Sequence, residues 1–245
     1  VAVPVFVGAG SGAAILTGSG TVSKTSCTAG NLIIVHFIVR GTTYDWSAFS
    51  NETNIEALDG TPNTLENIRN SEEGGHFIGR VTANGTCSAD ATVGASGEDI
   101  FLRMYEFSGA ATGTTVATVL ENDTGVWDGS SATGTTVGDA IVTTNGGDRL
   151  ALNFVQISSN LATTDFTGET GGDWTEAVAE YQDATGATAT LQLQTASMVS
   201  SGTIEGGSYT IGSSVLWTSV GTAIIPAAPA AGSVTLRTVR SSLRW

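Results

Sequence analysis

The chain has 245 residues, enough for one large domain or two intimately packed halves, with 32 glycines and only 13% charged residues. Its formal net charge of −14 would repel phosphate backbones and offers no basic stripe, which argues against free DNA or RNA as a partner. No run approaches the roughly 18 apolar residues of a membrane-spanning helix, so no membrane partner is expected.

At the N-terminus, Val1 to Val7 lacks the basic start and apolar block of a secretory signal, and synthesis in a cytoplasm is expected, although a leader already cleaved would leave the same start. Val5-Phe6-Val7-Gly8-Ala9-Gly10-Ser11-Gly12-Ala13 imitates a dinucleotide fingerprint, in which glycines let backbone approach a pyrophosphate at a helix start. The context differs. Gly18 and Gly20 cut short any following helix, and no acidic residue precedes Asp45 to bind a ribose, so the segment reads as a Gly-rich turn between strands. Lys24 is the only lysine and belongs to no phosphate-binding loop.

Leu32 to Val39 is apolar on both faces of an extended chain except at His36, the pattern of a central strand buried on two sides. Thr61 to Arg69, with Pro62 early in the segment, reads as a turn or two of helix. Ile100 to Phe107 alternates, with Arg103 and Glu106 toward water, and Leu150 to Ile157 and Ser214 to Ile225 read as strands as well. Turns are predicted at Asp59-Gly60, Gly74-Gly75, Asn84-Gly85, Asp128-Gly129, Asn145-Gly146 and Gly206-Gly207, because Gly and Asn tolerate positive φ.

The domain is expected to close near residue 226. Ala227 to Gly232 is a small-residue linker, and 233–245 form a C-terminal arm. The arm alternates Val234, Leu236 and Thr238 against Thr235, Arg237 and Val239. Arg237, Arg240, Leu243, Arg244 and Trp245 are its candidate partner-binding residues, basic and aromatic groups on an acidic body. A last strand on the parent domain and a frayed tail remain alternatives.

Four echoes divide the chain into two halves, about 5–110 and 111–226. Gly30-Asn31-Leu32-Ile33-Ile34-Val35-His36-Phe37 matches Gly147-Asp148-Arg149-Leu150-Ala151-Leu152-Asn153-Phe154, and Asp45-Trp46-Ser47 matches Asp173-Trp174-Thr175. Asn84 to Ala89 matches Ala184 to Ala189, and Ile100 to Met104 matches Ser214 to Thr218. The expected fold is all-β: a jelly-roll-like sandwich built from two pseudo-repeated halves.

Chemical motifs are few. Cys27 and Cys87 permit one disulfide or two buried thiols, and no Cys-x-x-Cys spacing points to a metal. No Gly-x-Ser-x-Gly elbow occurs, and His36 and His76 are the only candidates for a triad base. His36 reads as a core or seam histidine, and His76 as a loop residue. Glu169, Asp173 and Glu176, or Glu121, Asp123 and Asp128, match neither an EF-hand nor a glycosidase pair by spacing, and read as solvated loops with calcium a minor alternative. Trp46 and Trp174 read as core anchors, with sugar stacking the rival.

The Gly30-Asn31-Leu32, Trp46-Ser47, Gly147-Asp148, Trp174-Thr175, Gly186-Ala187-Thr188 and Ile224-Ile225-Pro226 signatures resemble a loose group of phage virion proteins and related bacterial surface domains. The resemblance covers roughly residues 5 to 226. In the first half, an insertion from Phe49 to Gly75 replaces the group's compact turn. The resemblance implies a non-enzymatic structural role without cofactors: a capsid decoration, tail or spike component found in the virion and made in the host cytoplasm. Its implied partners are other virion proteins, including copies of itself. The alternative is a carbohydrate-binding or adhesion module that meets a host-surface glycan.

Overall fold

The computed structural model describes residues 2–15, 18–40, 46–59, 66–67, 72–93, 99–121, 128–138, 140–157, 159, 163–167, 174–177, 181–183 and 189–229. The first half supplies β1 (Val5–Ile15), β2 (Ser19–Cys27), β3 (Leu32–Arg40), β4 (Trp46–Thr53), β5 (Ile55–Ala57), β6 (Glu66–Asn67), β7 (Glu72–Val81), β8 (Gly85–Val93) and β9 (Asp99–Ser108). A single helical turn, α1 (Val116–Val119), leads into β10 (Leu120–Glu121). The second half supplies β11 (Asp128–Val137), β12 (Ile141–Thr144), β13 (Arg149–Ile157), β14 (Thr163–Thr167), β15 (Thr175–Glu176), β16 (Tyr181–Asp183), β17 (Ala189–Met198), β18 (Gly202–Glu205) and β19 (Ser208–Ile224).

In the first half, a sheet ordered β1-β9-β3-β7-β5, with β6 also beside β7, faces a three-stranded sheet ordered β2-β8-β4. Drawing strands alternately from the two ends of the segment is the wrapping of a jelly roll, which closes antiparallel strands into two layers. In the second half β13 lies between β19 and β17, β11 is on the far side of β19, and β15 is on the far side of β17. That order is the first sheet's with each strand number raised by ten. Here β12 and β18 form the facing pair, while β14 joins β19 instead.

The four sheets stack as layers. Ile33, Val35 and Phe37 of β3 point toward β2 and β8, where they meet Val22, Cys87 and Ala89. Leu32 and Ile34 point the other way, into a core shared with Leu150, Leu152 and Phe154 of β13 and Leu193 of β17. Both faces of β3 are therefore covered, which is why its sequence lacks a polar side. Beyond β13, Ala151 packs with Val142 and Ile204, and Val155 with Tyr209 and Trp217.

Several local expectations give way to tertiary pairing. The glycine-rich start is not a turn: it is β1, paired with β9 through two register shifts. A Cβ on Gly10 would strike the Ser23 carbonyl, so glycine lets β1 cross close over β2. Gly74-Gly75 lies inside β7, opposite Ile38 and Phe37, where a continuous ladder outweighs turn preference. Asp128-Gly129 likewise opens β11 against β19. Of the expected helical turn at 61–69, residues 66–67 instead form β6 against Glu73 and Gly74, and the rest lies outside the described residues.

The sequence echoes fall unevenly on this framework. The first aligns Leu32 with Arg149, yet Leu32 and Leu150 are the residues that face the shared core; the echo is one residue out of register. Gly30 (φ +88°) and Asp148 (φ +58°) take the left-handed turn two residues before those leucines. The second echo joins Trp46, which opens β4 in the three-stranded sheet, to Trp174, which precedes the β15 edge of the eight-stranded sheet. In the third, only Ala189 of the second copy is described; it opens β17, which holds a different place from β8. The fourth joins the matching strands β9 and β19 but is shifted, since Ile100 pairs with Val39 whereas Trp217, not Ser214, pairs with Ile157.

Candidate functional site

The last described residues are held against the body by backbone bonds. Between the halves, the connector after β9 runs beside the end of β19: Ala111 N donates to Ile225 O (2.7 Å), Ile225 N to Val119 O (2.9 Å), and Ala227 N to Gly109 O (2.7 Å). Ala110 and Pro226 form an isolated antiparallel bridge between these bonds. Pro226 is thus part of the body, and the linker expected from residue 227 begins with one more body contact. Arg237, Arg240, Leu243, Arg244 and Trp245 lie outside the described residues.

The same connector forms one wall of a cleft of about 340 Å³. The opposite wall is β5 and the two residues after it, Glu56 to Asp59, with Arg80 of β7 between the walls. Asp59 N donates to Thr114 O (3.0 Å) and Val116 N to Asp59 O (3.1 Å), so backbone bonds tie the walls together at one end. The Arg80 guanidinium donates to three carbonyls: Gly30 (3.0 Å), Ala111 (2.5 Å) and Gly113 (3.3 Å). A planar fork spreads its donors over separate nitrogens in a fixed geometry, and so reaches acceptors that a single ammonium nitrogen could not serve together. Glu56 and Asp59 are exposed at the rim, Leu58 is buried beneath them, and no aromatic ring lines the cleft among the described residues.

At the seam between the halves, His36 Nδ1 and His76 Nε2 share a hydrogen bond of 2.9 Å. Their rings stack with centroids 4.7 Å apart and pack on Phe154 of the other half at 5.1 and 4.6 Å. His76 therefore belongs to a core strand and not to a loop, because the Gly74-Gly75 pair before it does not turn. Burial holds the His36 imidazole down at about 3. Burial also holds His76 well below its ordinary value, helped by repulsion from His36. Both rings are neutral at pH 7. Donation from His36 Nδ1 would leave its buried Nε2 as a bare lone pair, less costly than an unpaired N–H.

The only lysine is an interior residue. Lys24 Nζ lies 2.6 Å from Glu106 Oε2, and Glu106 Oε1 accepts from Thr28 N (2.8 Å) and Asn31 Nδ2 (2.7 Å). Burial alone would raise the Glu106 carboxyl; Lys24 and these two donors outweigh it and hold the group below its ordinary value. Beside them, Cys27 and Cys87 are free buried thiols. Burial and the neighbouring Cys27 push the Cys87 thiol up to about 12.

Of the carboxylates singled out by sequence, two have described side-chain partners. Glu121 pairs with Arg149 (2.6 Å), Glu176 accepts from Gln192, and Glu169, Asp173 and Asp123 lie outside the described residues. Among the described residues no three His, Cys, Asp or Glu side chains gather where they could hold a metal, and no helix is long and apolar enough to cross a membrane. Trp174 is buried, in keeping with a core role. The cleft at Arg80 had no signal in the sequence, since it joins residues from several separated segments. Glu106, expected to face water, is instead buried, because Lys24, Thr28 and Asn31 satisfy its carboxylate.

Fold and site together define an all-β, sandwich-like protein of stacked antiparallel sheets, with Ile225 and Ala227 braced on the connector between the halves. No protein-family model matches the chain, nor does any curated protein or solved structure.

Proposed function

We propose that this chain is a non-enzymatic structural protein of a virion, a capsid decoration or other head or tail component, built from two copies of one jelly-roll unit. In this reading the acidic body is the displayed part. Residues 233–245 are the arm that attaches it to a neighbouring virion protein, which can be another copy of itself.

The observation that carries the reading is the bracing of Ile225 and Ala227 just before the proposed arm. Three backbone bonds hold Ile225 and Ala227 against the connector, so a pull on the arm is delivered to the junction of the two halves and not to a sheet edge. Charge supports it. Three of the nine cationic residues fall in the last nine positions, and no acidic residue follows Glu205. Such an arm is drawn to an acidic partner, with Trp245 and Arg244 suited to anchor it.

Comparison of the full chain with one ending at Pro229 tests this by sedimentation and by incorporation into particles. The shortened chain is expected to stay folded and lose attachment, and added salt to weaken attachment of the full chain. Normal attachment by the shortened chain would defeat the proposal.

A further inference from the structure

The cleft beside Arg80 has an opening, two walls of different chemistry and no occupant within the described body. Its size falls at the lower end of ligand pockets, which run from about 300 to 1,000 Å³, and suits one or two side chains better than an extended ligand. One side offers the exposed apolar surface of Ala57, with Leu58 buried at its base. The rim offers the carboxylates of Glu56 and Asp59, both exposed. Arg80, the one cation in the lining, is committed to three backbone carbonyls, so it does not neutralise the rim by pairing with an acid. The cleft therefore asks for an apolar group and a cation side by side.

The chain carries that combination at Leu243-Arg244-Trp245. It also starts the arm in the right place. Gly109 and Ala111 hold Ala227 and Ile225, and the next residues of the same connector, Thr112 to Thr114, form the cleft wall. Sixteen residues follow Pro229 in the sequence and can span about 50 Å when extended, ample for this cleft on the same molecule or on an adjoining one.

We propose that the Arg80 cleft is the receptor for the C-terminal arm, residues 233–245, taking Leu243 and Trp245 on its apolar wall and Arg244 on Glu56 and Asp59. This rests on those residues being an attachment arm. It adds the surface on which the arm lands: a matching cleft on a copy of this chain, so that each body carries both an arm and a receptor. Arms and clefts on identical chains make a head-to-tail contact, which closes into rings or continues into lattices.

The test is photo-crosslinking of the full chain with Trp245→benzoylphenylalanine, followed by peptide mapping. Crosslinks to residues 56–59 or 112–114 are expected, and they should be lost on Glu56→Lys with Asp59→Lys. Neither carboxylate is needed for the backbone bonds of the cleft, and circular dichroism checks the fold; Glu56→Gln with Asp59→Asn is the milder second variant, expected to reduce the same crosslinks. Crosslinks confined to other surfaces, no crosslinks, or full retention in both folded variants would overturn the receptor assignment. Electrophoretic mobility reads the attachment hypothesis separately. Dimer-sized products place the arm on a neighbour, whereas monomer-sized products with the same mapped peptides keep the receptor and defeat attachment between copies.

Discussion

His36 of β3 and His76 of β7 are hydrogen-bonded to each other at the seam between the two halves, and both pack on Phe154 from the opposite half. In the second sheet the cross-strand pair Phe154–Leu193 faces the same shared core. Two neutral imidazoles in the first half thus meet an all-carbon pair in the second.

This arrangement predicts acid sensitivity at the seam. The folded-state values of both histidines are depressed, so the unfolded chain binds protons that the native protein refuses. Stability is full above the ordinary histidine value of about 6.5 and falls as pH drops toward the folded value of His36, about 3. The loss is about 1.4 kcal/mol per pH unit for each histidine that stays neutral. Urea midpoints measured between about pH 7 and pH 4 check this. In the double variant His36→Phe with His76→Leu, the slope just below pH 6.5 should flatten; an unchanged slope would show that other groups control it.

Lys24 and Glu106 predict a large asymmetry between single and double substitutions. Glu106→Gln leaves a buried ammonium beside a neutral amide and is expected to cost about 3–5 kcal/mol. Adding Lys24→Met should recover a good part of that loss, because the stranded charge is gone. Denaturation of the three variants gives the coupling. Equal stability of the single and double variants would count against a buried ion pair.

The thiols predict slow chemistry. With the Cys87 thiol raised to about 12, almost none is thiolate near neutral pH, and burial denies access to reagent. Labelling with a disulfide reagent should be slow in the native protein and complete in denaturant. Rapid labelling of the native protein would mean that the β2–β8 layer opens readily. Failure to label in denaturant would mean that the cysteines are bridged.

Arg80→Ala should loosen the connector without disturbing the strands. It removes donors to the exposed Gly30 carbonyl and the half-buried Ala111 and Gly113 carbonyls, which water can partly replace, so each bond is worth about 0.5–1.5 kcal/mol. Hydrogen exchange should quicken at the amides of Ala111 and Val116, which bond at the same junction. Arg80→Lys is expected to restore only part of the protection, since one ammonium cannot reproduce the fork. Unchanged exchange in Arg80→Ala would remove Arg80 from its bracing role.

The amino-acid sequence by itself determined the all-β class and the central strands, because apolar alternation and two-sided burial are written locally in Leu32 to Val39 and Leu150 to Ile157. It also carried the Asn145-Gly146 and Gly206-Gly207 turns, which fall between two strands, and the Asn84-Gly85 turn, whose glycine opens β8. Tertiary structure decided the rest. Gly74-Gly75 extends because a whole ladder forms along β3 and β7, and Val5 to Ile15 extends because its glycines allow it to pass close over β2. The first echo failed by one residue, and in a strand one residue reverses every side chain. Which leucine faces the other half was therefore fixed by packing and not by the likeness of the words. His36 and His76, Lys24 and Glu106, and Arg80 and its connector are each far apart along the chain. Burial and partner choice exist only after the sheets have stacked, so no local pattern could announce them.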